Sequence, residues 1–300
     1  MSSSDRQFGA VTVVVGDKNG KYPHGNSLWI RGRASTAVVD PSLSVVARAA
    51  EFAGRADLVV LSHAHEDHLA GVHLFPQARV HAHRADALGV RSLAGLLTIY
   101  GYEHLDAEMG TFVMSQFHYA PRRDVEGFED GAVFDLGDVR IRAIHTPGHT
   151  RGHCVLLVEP DGVLFLGDID LSSFGPYYGD AWSCLDDWER SLDLVRRIEA
   201  RVWVSFHHVG VIEDGGLFLD RLDRFAARIA EREAAILDAL AEPRSLADLV
   251  HQRFVYPAHV TLPFVDAVER RTILQHLDRV LAREQVERVG PDRYVKRGNG

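Results

Sequence analysis

The sequence predicts a layered α/β fold whose functional site lies along one sheet edge. Two observations carry this. Between residues 8 and 215, apolar runs of strand length are interleaved with helical stretches, the pattern of sheets covered by helices. Several of these runs also stop at histidine or aspartate. Leu58–Leu61 stops at Ser62-His63-Ala64-His65-Glu66-Asp67-His68, Phe165-Leu166 at Gly167-Asp168, and Val202–Val204 at Phe206-His207-His208. Ligand-type residues at successive strand ends put a site at the carboxyl edge of the strands.

The elements follow in order. Val11–Val15, Ser27–Ile30 and Ala37–Val39 are β-rich and separated by Gly, Pro, Asn and Asp, so they read as strands. Leu43–Phe52 reads as helical. Leu58–Leu61 is a buried strand, the histidine loop opens a short helix ending near Gly71, and Arg79–Ala82 is a further strand. Residues 84–120 are long for a connection and carry Leu96, Leu97, Tyr100, Tyr102, Phe112, Phe117 and Tyr119. They are expected to cover the site as a lid, and their aromatic character points to an apolar acyl or ring substrate. Strands return at Ala132–Asp135, Val139–Ile144, His153–Val158 and Val163–Leu166, with Asp161-Gly162 as a hairpin turn. Asp186–Glu199 is an amphipathic helix with Trp188, Leu192, Val195 and Ile198 on one face.

From about residue 217 the pattern changes. A long helix carries Leu222, Phe225, Ile229, Ile236, Leu237 and Leu240. Ser245 caps a helix through Val250, with Asp248 in the capping-box position. A third helix covers Asp266–Arg283, and Val286–Val295 reads as a two-stranded wing. The predicted organisation is a catalytic domain over 8–215 and a linker helix with a winged-helix-like domain over 216–300.

The formal net charge of −9 disfavours nucleic acid as the main partner. Residues 241–300 carry ten Lys and Arg against eight Asp and Glu, a net of +2. Two cysteines, Cys154 and Cys184, make no disulfide framework and are expected as free thiols. The opening MSSSDRQFG lacks a basic-then-apolar signal and no run of 18 apolar residues exists, so no membrane span and a cytoplasmic location are expected.

Imidazole and carboxylate together suit a borderline, redox-inert cation such as Zn²⁺. In an extended backbone the i, i+2 spacing of His63 and His65 puts both rings on one side, with Ala64 taking little room between them. Asp67 and His68 then point elsewhere, so one segment can feed two neighbouring ions. Pro147 and Gly148 make a rigid turn with His149 at its apex. Asp168 follows an apolar strand, where a carboxylate is costly unless paired or bound to a cation, and it can bridge two ions. Asp170 is expected as a cap or turn residue, His153 as a hydrogen-bonding support and His145 as structural. One of His207 and His208 completes the second set, and His207 follows more directly from its strand. Phe174-Gly175-Pro176-Tyr177-Tyr178 is expected near the metals.

As a set, HxHxDH at His63–His68, TPGHTRGH at Thr146–His153, Gly167-Asp168 and the late His207 or His208 resemble the metallo-β-lactamase-fold hydrolases over residues 8–215. The TPGHTRGH stretch is most similar to the glyoxalase II-like branch. Two departures stand out: the late ligand region reads Ser205-Phe206-His207-His208-Val209-Gly210, and a winged-helix-like tail replaces the glutathione-binding tail of glyoxalase II. That tail resembles one found in a hydrolase subgroup with an RNA-cleaving class. The resemblance implies an αββα sandwich. His63, His65 and His149 would hold one metal, and Asp67, His68 and His207 the other, with Asp168 between them. It implies two Zn²⁺ per chain, with Fe or Mn as substitutes. The expected activity is hydrolysis of a thioester, ester or lactone by a metal-bound hydroxide, with Asp67 as the catalytic residue that orients it. No GxSxG nucleophile elbow is present. The rival readings are an iron-dependent persulfide dioxygenase, a metal-dependent endoribonuclease and a non-catalytic binding protein. The expected partner is a small-molecule substrate, with no membrane, and a homodimer stays open.

Overall fold

Alternation along single strands sets the layers. Leu58 and Val60 enter a core shared by two sheets, whereas Val59 and Leu61 enter a second core under helices, as the two-residue period of a strand requires. The structure, a computed structural model, describes residues 5–298 apart from the side chain of Glu103. The first sheet holds β1 (Arg6–Phe8), β2 (Val11–Val14), β3 (Ser27–Arg31), β4 (Thr36–Val39), β5 (Leu58–Val60), β6 (Arg79–His83) and β7 (Glu126–Phe128), side by side in chain order. It is antiparallel up to β4 and parallel from β4 to β7.

The second sheet holds β8 (Val133–Asp135), β9 (Arg140–His145), β10 (Cys154–Glu159), β11 (Val163–Phe165), β12 (Val202–Val204) and β13 (Val211–Ile212), again in chain order. Gly162 makes the turn between β10 and β11 with φ +68. Val13, Ile30, Val39 and Val60 meet Ile141, Leu156, Phe165 and Val204 between the sheets. Helix Leu93–Tyr100 and its neighbours cover the outer face of the first sheet. Helices Leu185–Val195 and Gly215–Ala239 cover the second. This is the expected αββα sandwich. Burying each Val, Leu, Ile or Phe in these layers is worth about 1.5–3 kcal/mol.

The helical stretch Leu43–Phe52 is interrupted, forming two short helices, Leu43–Val46 and Ala49–Phe52. Arg48 between them leaves the helical region at φ −115, ψ 30. Its guanidinium ties Asp5 to Glu51, and this tertiary pairing overrides local helix preference. The short edge strands β1, β7 and β13 carry no clear sequence signal and escape the prediction.

The C-terminal region packs around its own core of Ile236, Leu249, Ile273, Leu277, Val280 and Tyr294. Ser245 caps helix Leu246–Gln252 in the predicted capping box with Asp248. Helix Val265–Ala282 follows. The predicted hairpin forms from β15 (Val286–Arg288) and β16 (Arg293–Lys296), and β16 also pairs with β14 (Arg244–Ser245). The region docks against the rest of the chain by burying Val268 in the core beside the first sheet and through polar contacts: Arg271 Nη1 donates to Tyr100 O at 3.0 Å, and the Tyr178 hydroxyl lies 2.9 Å from His276 Nε2. Cys154 and Cys184 are free thiols. Among the described residues no helix is long and apolar enough to cross a membrane.

Candidate metal centre

Four strand ends deliver the polar residues to one edge. β5 runs into Ser62–His65, and His65 is extended at φ −114, ψ 159. The short helix Glu66–Leu69 then turns Asp67 and His68 away from His63 and His65. His149 sits on the turn after β9, Asp168 follows β11, and His207 follows β12. Gly167 takes φ +54, and a Cβ there would lie 2.5 Å from His153 Nε2. Only glycine permits this approach, through which the Asp168 N–H donates to His153 Nε2 at 3.1 Å.

The delivered side chains form two adjoining groups, His63, His65, His149 and Asp168, and Asp67, His68 and His207, and Asp40 forms a third with His63 and His68. Within each group the ligand atoms lie within 4.8 Å of one another. His65 Nδ1 and His149 Nε2 are 2.9 Å apart, and His149 Nε2 is 3.1 Å from Asp168 Oδ2. On the other side, His68 Nε2 is 2.9 Å from Asp168 Oδ1, and His207 Nε2 is 2.8 Å from Asp67 Oδ2. Four ligands about 2.0–2.1 Å from one cation stand about 3.3 Å apart, so this spacing suits coordination. The two Asp168 oxygens each face a different group.

The donor set fits a metal on a further observation. His63 is wholly buried, and its Nε2 has no hydrogen-bond partner. Burial, then the neighbouring His68, His149 and His65, push its pKa well below the usual imidazole range. A buried neutral imidazole with an orphan nitrogen costs free energy that a cation would recover. Nitrogen and carboxylate donors without thiolate suit a divalent transition metal.

The outer ring nitrogens are held as metal-binding histidines require. His68 Nδ1 is 2.6 Å from Asp40 Oδ2, and its ring stacks on Phe206 at 3.6 Å. His207 Nδ1 donates to Gly20 O at 2.9 Å and His24 O at 3.0 Å, and His149 Nδ1 donates to Tyr177 O at 3.2 Å. His65 Nε2 is 3.1 Å from Asp180 Oδ2, an ion-pair contact without hydrogen-bond geometry. Asp180 Oδ1 accepts from the Tyr102 hydroxyl and from that of Tyr177 at 3.0 Å.

Electrostatics follow from these contacts. Burial alone would lower the pKa of His65 and His207, but Asp180 and Asp67 respectively outweigh it and hold both at about 9. Burial raises the Asp168 pKa, yet His68 and His149 overcome it and keep the carboxyl well below its usual range.

The structure brings His63, His65, Asp67, His68, His149, Asp168 and His207 together. His208 stands outside, at φ +61 with Nε2 3.8 Å from Asp170 Oδ2. Asp170 caps a turn, accepting from Ser172 N at 2.9 Å. His153 reaches Asp168 only through its backbone, and His145 stacks on His83 outside the centre. Asp40, Asp86 and Asp180 were missed. Asp40 ends a strand as Asp168 does, so the same signal could have found it. Asp86 accepts from Thr150 Oγ1 at 2.6 Å, Gly152 N at 2.7 Å and Ala64 N at 3.2 Å, tying both histidine loops together. Asp180 lies in a loop with no distinguishing pattern.

A cleft of about 550 Å³ opens over the centre. Met109, Phe112, Phe174, Tyr256, Leu262 and Phe264 supply apolar lining. Segment 84–120 contributes Tyr100, Tyr102, Met109 and Phe112 and is thus a wall of the cleft. Beside Asp67, the Glu66 carboxylate accepts from the hydroxyls of Tyr100 and, at 3.1 Å, Tyr22.

The chain belongs to the metallo-beta-lactamase superfamily, whose family model matches residues 22–218. It is 29% identical over 203 residues to the acyl-coenzyme A thioesterase MBLAC2 of Bos taurus, covering 59% of this chain and 71% of that protein. It is 29% identical over 253 residues to an atrochrysone carboxyl ACP thioesterase of Aspergillus fumigatus, covering 79% of this chain and 68% of that protein. In fold it is similar to a metallo-beta-lactamase family protein from Thermus thermophilus, with TM-score 0.70, 24% identity, and coverage of 96% of this chain and 98% of that one.

Proposed function

We propose that this enzyme is a hydrolase of thioesters, with esters and lactones as related substrates, and that it works with two Zn²⁺ ions. The convergence of His63, His65, His149 and Asp168 beside Asp67, His68 and His207 carries this reading. The thioesterase names of the relatives and the apolar lining of the cleft support an acyl thioester in particular.

In this reading His63, His65 and His149 would hold one ion and Asp67, His68 and His207 the other, with Asp168 available to both. When bound, the ions supply an acidified water and a positive site for the developing oxyanion. The chain's residues do the rest. Asp67 orients the attacking water and carries its proton towards the leaving group. Asp168 keeps the two ligand sets in register. Met109, Phe112, Leu262 and Phe264 exclude water from the acyl chain. The complete second ligand set favours hydrolysis over iron-dependent persulfide oxidation, and the net charge of −9 disfavours ribonuclease action. We also propose the division into a catalytic unit over 8–215 and a winged-helix-like unit over 216–300.

The test is metal content with activity. His65→Ala and Asp168→Ala should lose zinc and acyl-thioester hydrolysis together. Full turnover by metal-free protein, or none by zinc-loaded protein on thioesters, esters and lactones, would overturn the reading.

A further inference from the structure

A second cleft, of about 820 Å³, lies between the C-terminal helices and residues 101–104. It is lined by Arg253, Arg270 and Arg271 with His104 and His251, and Asp266 is the sole carboxylate among its lining residues. Asp266 pairs with Arg253 at 2.9 Å. Arg271 has neutral partners: it donates to Tyr100 O at 3.0 Å and to Gly101 O, and it lies 5.2 Å from the Tyr102 ring centroid. Arg270 is exposed and has no acidic partner among the described residues. Arg270 and Arg271 thus place two guanidinium charges without an acidic partner among the described residues in one cleft of a chain whose net charge is −9. Ala247, Val250 and Leu274 give the same cleft an apolar side.

This cleft backs onto the metal centre. Gly101 lines it, while the adjacent Tyr100 and Tyr102 line the metal cleft. Phe264 lines the metal cleft, while Asp266 and Ala267 line the second. The same two chain segments therefore stand between the two clefts. Guanidinium groups beside an apolar surface are what a phosphorylated nucleotide requires: forked donors for phosphate and a face for the base.

We propose that the arginine cleft binds the nucleotide end of a coenzyme A thioester, whose pantetheine arm crosses the Gly101–Tyr102 and Phe264 rim to bring the thioester to the metals. The proposal rests on the thioesterase reading and adds the substrate's carrier to it. The cleft recognises phosphates and takes no part in bond cleavage.

The test uses the full, zinc-loaded chain and a matched pair of substrates, an acyl-CoA and the same acyl group on pantetheine alone. KM for the CoA ester should be at least tenfold lower than for the pantetheine ester. Arg270→Glu should raise the first at least tenfold and shift the second less than twofold. Equal KM values for the two esters, or an undiminished gap in Arg270→Glu, would overturn the proposal. Calorimetric titration of free CoA tests the cleft without turnover: binding should occur and weaken at least tenfold in Arg270→Glu. If both esters resist hydrolysis while CoA binds in this Arg270-dependent way, the thioesterase reading fails and the nucleotide site stands. If CoA does not bind, the nucleotide site fails whatever is hydrolysed.

Discussion

Asp180 governs how His65 faces the centre. Its second oxygen is occupied by the Tyr102 and Tyr177 hydroxyls, so the carboxylate cannot swing away without leaving buried groups unpaired. Partners of this kind typically contribute 10–100-fold to metal affinity. Asp180→Asn should therefore weaken zinc binding by about that factor in chelator competition, and wild-type affinity in the variant would contradict the positioning role. The same contacts give a pH dependence. In the metal-free chain His65 and His207 are held at about 9, above the ordinary 6.5. Groups raised in this way stabilise the fold fully below 6.5, and that contribution is lost as pH rises through 9. Zinc requires both rings neutral, so it competes with these protons. Apparent zinc affinity should rise between pH 6.5 and 9 while the melting temperature of the metal-free chain falls. Parallel chelator titrations and thermal melts check both signs.

Glu269 does at the scale of elements what Asp180 does for one ring. It is fully buried on helix Val265–Ala282 and accepts the backbone N–H groups of Phe254, at 2.9 Å, Val255, at 3.0 Å, and Tyr256, at 2.8 Å. This arrests the loop that carries Tyr256 and Leu262 to the metal cleft. Glu269→Ala should cost about 1–3 kcal/mol in denaturant unfolding, since buried donors lose their acceptor. It should also raise KM for an acyl thioester more than it lowers kcat. Ser245→Ala removes a helix cap in the same region and should cost about 0.5–2 kcal/mol with KM unaltered. If both variants move KM alike, the loop has no special link to the cleft. The broken helix at Leu43–Phe52 shows the limit of local reading: Arg48 answers to Asp5, far away in sequence.

For the whole molecule, the centre is a clasp between the two sheets. His63, His65, Asp67 and His68 follow a strand of the first sheet, while His149, Asp168 and His207 follow strands of the second. Zinc bound there should raise the stability of the assembled sandwich. At a free concentration of about 1,000 times Kd a ligand specific for the folded state adds about 4 kcal/mol. Metal-free protein should melt at a lower temperature and recover on zinc addition, and superimposable melts would argue against a joint site.

Much of this was legible in the sequence because each ligand follows an apolar run, and a costly polar group at a strand end signals something that compensates it. The β5 motif, the turn at His149, Asp168 and the capping box at Ser245 all rest on neighbours within a few residues, so spacing alone places them. Tertiary structure decided the rest. His207 was separated from His208 by the carbonyls of Gly20 and His24. Asp180 acquired its role from Tyr102, and the arginine cleft exists only where Gly101 meets a helix starting at Val265. A one-dimensional pattern records the period and chemistry of a segment, whereas partners brought together across the fold are chosen by packing.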